Sequence, residues 1–185
     1  MKLKTALIAA TAIVATTATT ATFAQDDYKF DGIYGGIEAG LDFTKLANDA
    51  KRDRSLYWGG VLGYRVQMDS GMVFGLEGTF GDSGYKNNAL GKHTDYEYGG
   101  SLILGSAFGE DGSNLFYGKV GYVRARFDET GVEGGTKHFD GGWRFGAGYE
   151  KSLSQNISLR LGVDYTTYNK DDKQWQGKTG LLFKF

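Results

Sequence analysis

The feature that most constrains this chain is an alternation of period two that runs through nearly everything after residue 30. Between Ile33 and Phe43, one set of positions reads Ile33, Gly35, Ile37, Ala39, Leu41, Phe43, and the set between them reads Tyr34, Gly36, Glu38, Gly40, Asp42. The pattern recurs seven more times. One face carries Trp58, Leu62 and Tyr64, then Phe74, Leu76 and Phe80, then Tyr98, Leu102 and Leu104, then Phe116, Val120 and Tyr122. It continues with Trp143, Phe145 and Ala147, then Leu159, Leu161 and Val163, then Trp175, Leu181 and Phe183. Successive side chains of a strand point to opposite faces, so this spacing writes strands and not helices. No run of 18 or more apolar residues follows the N-terminal segment, which excludes helical membrane spans. Eight segments of roughly ten residues or slightly more are each long enough to cross a bilayer at a tilt.

The connections alternate too. Long links are expected over 44–55, 83–93 and 128–138, with an intermediate one near 169–173. Short ones fall at 69–71, 109–113 and 152–155. Long loops at one end and tight turns at the other are the plan of an up-and-down barrel in an outer membrane. Before the first strand, Lys2 and Lys4 precede an Ala/Thr-rich apolar stretch ending in Ala21-Thr22-Phe23-Ala24. That reads as a secretory signal peptide over 1–24, cut before Gln25, leaving one β-barrel domain over 25–185. Without Cys there is no lipid-anchoring cysteine, disulfide or thiolate metal site. A formal charge of −1 argues against nucleic acid as a partner.

The second face decides which side meets lipid. It carries Glu38, Asp42, Glu77, Glu97, Glu150 and Asp164 beside Arg65, Lys119, Arg144, Arg160, Lys178 and Lys184. Six acids against six bases can neutralise one another, as buried charges must. Pairs such as Glu38 or Glu77 with Arg65 or Arg144 are expected to bridge the narrow lumen of an eight-stranded barrel. Glycine, 30 residues of the chain, leaves room for them. Trp58, Trp143 and Trp175 all lie on the apolar face near the long-link end of their strands, where an interfacial belt belongs. The alternative is a secreted soluble barrel with the apolar face inward, holding a small ligand.

The chain ends Lys178-Thr179-Gly180-Leu181-Leu182-Phe183-Lys184-Phe185. Lys178, Gly180, Phe183 and Phe185 resemble the C-terminal insertion signal of outer-membrane barrels. With the signal peptide and the eight alternating segments, the chain from Tyr28 to Phe185 resembles the small eight-stranded outer-membrane proteins of Gram-negative bacteria, and among them the opacity-type, porin-family surface antigens. That resemblance implies an all-β, eight-stranded antiparallel up-and-down transmembrane β-barrel in the cell outer membrane. It also implies a monomer without cofactor, inserted by the barrel-assembly machinery, among outer-membrane lipids and lipopolysaccharide. It further implies that the cell-wall-binding domain of some relatives is absent.

Three functional classes follow. The first is a structural barrel and surface antigen, with the lumen blocked by paired charges. The second is a narrow or gated small-solute or ion pore. The third is a lipid-modifying enzyme, which needs a nucleophile or activated water beside His and a carboxylate. Only His93 and His138 are available, the latter with Asp140 two positions on, and no serine adjoins them. No His/Cys/Asp cluster has metal spacing. The long links hold Lys45, Lys51, Arg52, Arg54, Lys86, Lys92, Asp128, Glu129, Glu133 and Lys137, a solvated face or a binding surface for an external partner. Arg124 and Arg126 continue the apolar face of the fifth segment beyond Tyr122. There they would meet lipopolysaccharide phosphates, unless a β-bulge turns them inward.

Overall fold

The computed structural model describes residues 28–45, 53–83, 86–87, 92–129, 137–168 and 173–185. The expected signal peptide, with Lys51, Arg52 and Glu133, lies outside the described residues. Eight strands form the wall: β1 Gly32–Lys45, β2 Asp53–Gln67, β3 Met72–Ser83, β4 Lys92–Phe108, β5 Asn114–Glu129, β6 Lys137–Ser152, β7 Ile157–Tyr168 and β8 Lys173–Lys184. A two-residue bridge, Lys86–Asn87, pairs with the start of β4. Every strand is antiparallel to its neighbour, and β8 returns to β1 with Tyr34 opposite Lys184 and Lys45 opposite Lys173. This is a closed eight-stranded barrel. Closure satisfies the backbone donors and acceptors of every strand within the wall, which hydrocarbon demands.

The turns at 68–71, 109–113 and 153–156 are tight. In the first, the Met68 N–H donates to the Met72 carbonyl and the Gly71 N–H donates back to the Met68 carbonyl, each at 2.8 Å. Gly71 sits at φ +80°, a left-handed conformation that costs glycine little. At the other end the strands run further than the apolar alternation implies. They are 12 to 17 residues long, against roughly 9–11 needed to cross a bilayer. Lys45, Arg54, Lys92, Asp128, Glu129 and Lys137, expected in loops, therefore belong to strands; Thr44 pairs with Asp53, and Lys92 with Glu129. His93 and His138 are strand residues as well, paired with Asp128 and Phe127. Charged residues broke the apolar pattern there, but the ladder needs only backbone. β4, β5 and β6 are the longest strands, so the wall stands tallest on that side.

The two faces have exchanged the places they hold in a water-soluble protein. Ile37, Leu56, Leu62 and Leu76 are each more than 60% exposed, while Glu77, Arg144 and Asp164 are at most 3% exposed. An apolar surface that continuous is a liability in water and a requirement in hydrocarbon. Aromatic rings border it at both ends. Trp58, Trp143 and Trp175 stand out at 51–55% exposure toward the long-link end. Near the tight turns Phe108 stacks on Phe116 at 5.0 Å, Tyr149 leans on both, and Phe74 and Phe185 also point outward. This lower girdle carries no Trp, the residue by which the upper one is most easily seen in sequence.

Candidate functional site in the barrel interior

The inward positions are set by strand parity alone. Glu38 and Asp42 come from β1, Arg65 from β2, Glu77 from β3, Glu97 from β4 and Lys119 from β5. Arg144 and Glu150 come from β6, Arg160 and Asp164 from β7, and Lys178 from β8. All eleven are buried. Lys184 stands apart: it is half-buried at the tight-turn rim, where its Nζ donates to the Tyr28 carbonyl at 2.8 Å.

Arg160 is the centre of the network. Its Nη1 donates to Glu77 Oε2 at 2.6 Å and to Glu38 Oε1 at 3.3 Å, and its Nε donates to Glu150 Oε2 at 3.2 Å. Arg65 grips the same Glu150 with a two-pronged fork at 3.0 and 3.1 Å. Forked geometry of this kind is what a guanidinium offers and an ammonium does not. Lys119 lies between Glu77 and Asp164, at 3.6 and 3.1 Å, and Lys178 reaches Asp164 at 2.9 Å. Arg144 pairs with Glu97 at 2.8 Å and donates to Thr166 Oγ1 at 3.0 Å. Asp42 is met by amides: Gln174 Nε2 at 2.7 Å and Gln176 Nε2 at 3.4 Å, while Tyr168 donates to Gln174 Oε1 at 2.8 Å. The partners differ from those first expected. Glu38 and Glu77 turn to Arg160; Arg65 takes Glu150 and Arg144 takes Glu97. An unpaired ion in such a setting costs several kcal/mol even after relaxation, which is why these charges meet a counter-charge or an amide.

Tyrosines, which parity places on the same face but which carry no formal charge, complete it. Tyr34 donates to Glu77 Oε2 at 2.7 Å, and its ring lies 3.8 Å from the Arg65 guanidinium carbon. Tyr117 faces Arg160 at 5.1 Å, and Tyr57 faces Lys178 at 4.2 Å. Gly63, on the neighbouring strand, makes room for Tyr34: a Cβ there would fall on the tyrosine ring.

Below this tier the tight-turn end is closed by apolar groups. Phe30, 2% exposed, enters the tunnel ahead of β1 and packs with Val73, Ile103, Leu115 and Tyr117. Its segment is tied down on both sides. The Phe30 N–H donates to Gln67 Oε1 at 3.0 Å, the Gln67 N–H donates to Asp31 Oδ1 at 2.9 Å, and the Tyr28 hydroxyl bonds to Asp69. Nothing in the periodic pattern marks Phe30, because it precedes the first alternating segment.

On the outer surface, Arg124 and Arg126 keep outward parity through β5, and the ladder with β6 is regular on their side. The irregularity lies in the adjoining strand, between Thr94 and Tyr96 of β4. Arg124 is exposed. Arg126 is half-buried, its Nη1 donating to the Tyr96 hydroxyl at 3.4 Å and its guanidinium over that ring at 5.7 Å. Arginine costs about 2–4 kcal/mol at mid-bilayer but about 0–1 near the interface, so the rung above Tyr122 is a place it can occupy. At the C-terminus Lys178 and Gly180 are buried, Phe183 is half-buried and Phe185 is exposed. Among the described residues no group of His, Cys, Asp and Glu is arranged to hold a metal.

Comparison with known proteins agrees with this architecture. The profile of the outer membrane protein beta-barrel domain family matches residues 8–185. A 22 kDa outer membrane protein of Rhizobium leguminosarum bv. viciae is 31% identical over 76% of this chain and 67% of its own length. A 25 kDa outer-membrane immunogenic protein of Brucella ovis is 30% identical over 85% of this chain and 79% of its own. Among solved structures, Neisserial surface protein A superposes with a TM-score of 0.61 at 16% identity, over 84% of this chain and 98% of that one.

Proposed function

Because this chain belongs to the outer membrane protein beta-barrel family, a barrel of the cell outer membrane, we propose that it acts as a sealed structural barrel and surface antigen rather than as a pore or an enzyme. The observation that carries this reading is the interior itself. Arg160 gathers Glu38, Glu77 and Glu150 from three separate strands, Glu77 from the far side of the tunnel, and Phe30 stops the tight-turn end. An eight-stranded lumen is just filled by side chains. A hydrated ion would have to break several charge-assisted bonds at once to pass. The naming of the Brucella relative as immunogenic supports the antigenic half of the proposal. The parts offered to the outside are the long links and the strand ends beneath them. Insertion by the barrel-assembly machinery through Lys178, Gly180, Phe183 and Phe185 belongs to the same proposal, as does a monomeric state.

Planar-bilayer recording with the purified protein tests the seal. The expected result is a silent membrane at moderate voltage. Stable, reproducible unitary currents would overturn the sealed reading in favour of a gated ion path through rearranged pairs.

A further inference from the structure

The outer wall carries a feature that sealing the lumen does not require. Gly78 of β3 and Gly100 of β4 are directly paired and both point outward. A Cβ on Gly100 would meet nothing within 4 Å, and one on Gly78 would meet only backbone oxygens at 3.7 and 4.0 Å. The result is a furrow in the lipid-facing surface, bordered by Leu62, Leu76, Leu102 and Val120. Beside its upper part stand Tyr122 and Trp143, whose rings meet edge to face at 5.8 Å. One outward rung above Tyr122 is Arg124, paired in register with Tyr98. Arg126 follows on the next rung, held by Tyr96, and Phe80, Tyr96 and Tyr98 stack beside them at 5.9 and 6.4 Å.

We infer that this wall binds one phosphorylated glycolipid of the outer leaflet, the lipid A part of lipopolysaccharide, with a phosphate on Arg124 and an acyl chain in the furrow over Gly78 and Gly100. Three observations point to one amphiphile. The arginines sit at headgroup depth, just above a belt Trp. The furrow below them is apolar along its length. The two are contiguous on one face of β3–β5, so a molecule with an anionic head and a hydrocarbon tail spans both. Charge complementarity selects the head, because a guanidinium fork matches two phosphate oxygens. The tail contributes differently. It leaves hydrocarbon to enter an apolar furrow, so packing and shape, not water exclusion, hold it there. Arg124 therefore carries affinity, and the glycine floor selects a lipid whose chain lies flat against the wall. Arg126, already bonded to Tyr96, fixes the rim beside it.

The full chain in phospholipid nanodiscs, titrated with purified lipopolysaccharide and read by native mass spectrometry of retained lipid, tests this. Arg124→Gln is expected to lower retention about tenfold, the equivalent of one charge-assisted contact. Enzymatically dephosphorylated lipopolysaccharide should show the same loss on the unaltered protein. Gly100→Leu, which fills the furrow and leaves Arg124 in place, should weaken retention of intact lipopolysaccharide several-fold. Gly177→Leu is the control. That residue faces outward on β8, across the barrel, also with open space before it, and its replacement should change nothing. Heat-modifiable gel mobility confirms that each variant has folded. Equal retention by all variants would overturn the inference. So would phosphatidylglycerol retained as tightly as lipopolysaccharide, since that would make the site a general anion rim. Neither outcome bears on whether the lumen conducts.

Discussion

The middle of the tunnel and its tight-turn end are filled by different chemistry. In the middle, Arg65, Arg160, Lys119 and Lys178 interleave with Glu38, Glu77, Glu150 and Asp164 in ionic pairs. At the tight-turn end, Phe30 packs on Val73, Ile103, Leu115 and Tyr117, and it meets the tier above through ring faces, with Arg65 5.7 Å from the Phe30 ring and Arg160 5.1 Å from that of Tyr117. The difference teaches what each block depends on. The ionic tier is cooperative: remove one partner and a neighbour is left buried without its counter-charge. The apolar stopper is local: remove it and a cavity remains, but no charge is stranded.

Arg160→Met sharpens that contrast most. It leaves Glu38, Glu77 and part of Glu150 without their shared cation, and breaking a buried pair by removing one partner costs about 3–5 kcal/mol. Urea unfolding of the refolded barrel, followed by heat-modifiable mobility and tryptophan fluorescence, should show a loss of about 4 kcal/mol. Adding Glu38→Gln to Arg160→Met should recover part of it, because the carboxylate that Arg160 held is then no longer charged. Non-recovery would mean that packing, not charge, dominates the tier. Phe30→Ala comes next. Emptying a buried phenylalanine site costs about 3–5 kcal/mol in a well-packed core. Here the short Tyr28–Asp31 segment can relax toward the opening, so a loss of about 2–3 kcal/mol is expected by the same unfolding measurement. The ion pairs above should survive, with bilayer currents still absent. Currents appearing in Phe30→Ala alone would make the stopper, and not the ionic tier, the seal.

The two regions were not equally legible in the sequence. Parity names the inward set directly: once Leu62 and Leu76 are outward, Arg65 and Glu77 are inward. The partners are a different matter. Arg160 of β7 meets Glu77 of β3, on the far side of the barrel, and that meeting depends on stagger and tilt, which no single strand encodes. Hence the chain revealed eleven buried charges but not that Glu38 and Glu77 would share Arg160. Tyr34, Tyr57 and Tyr117 stood on the charged face in plain view, and their hydroxyls and ring faces were the available signal. Phe30 had no such signal, since a residue outside the alternation carries no parity. The strand ends around Lys92 and Glu129 were hidden for a third reason. Above the membrane, water surrounds the wall, so apolar alternation is no longer required of a strand that continues there.

Tyr34→Phe is the finest test, because Tyr34 joins the ionic tier to a second, separate apolar cluster. Its hydroxyl donates to Glu77 at 2.7 Å, while its ring packs with Val61 and Leu182 and stacks on Arg65. The substitution keeps the ring and its volume and removes only the hydrogen bond to a buried carboxylate. Glu77 retains Arg160 and Lys119, so it is weakened rather than stranded. A hydrogen bond to a charged group is worth about 1.5–3 kcal/mol, and with two cations still in place the loss should sit near the lower figure, about 1.5 kcal/mol in the same urea experiment. A loss as large as that of Arg160→Met would place the centre of the network at Glu77 and its donors. A loss near zero would assign Tyr34 to its packing on Val61 and Leu182 alone, leaving Glu77 held by its two cations.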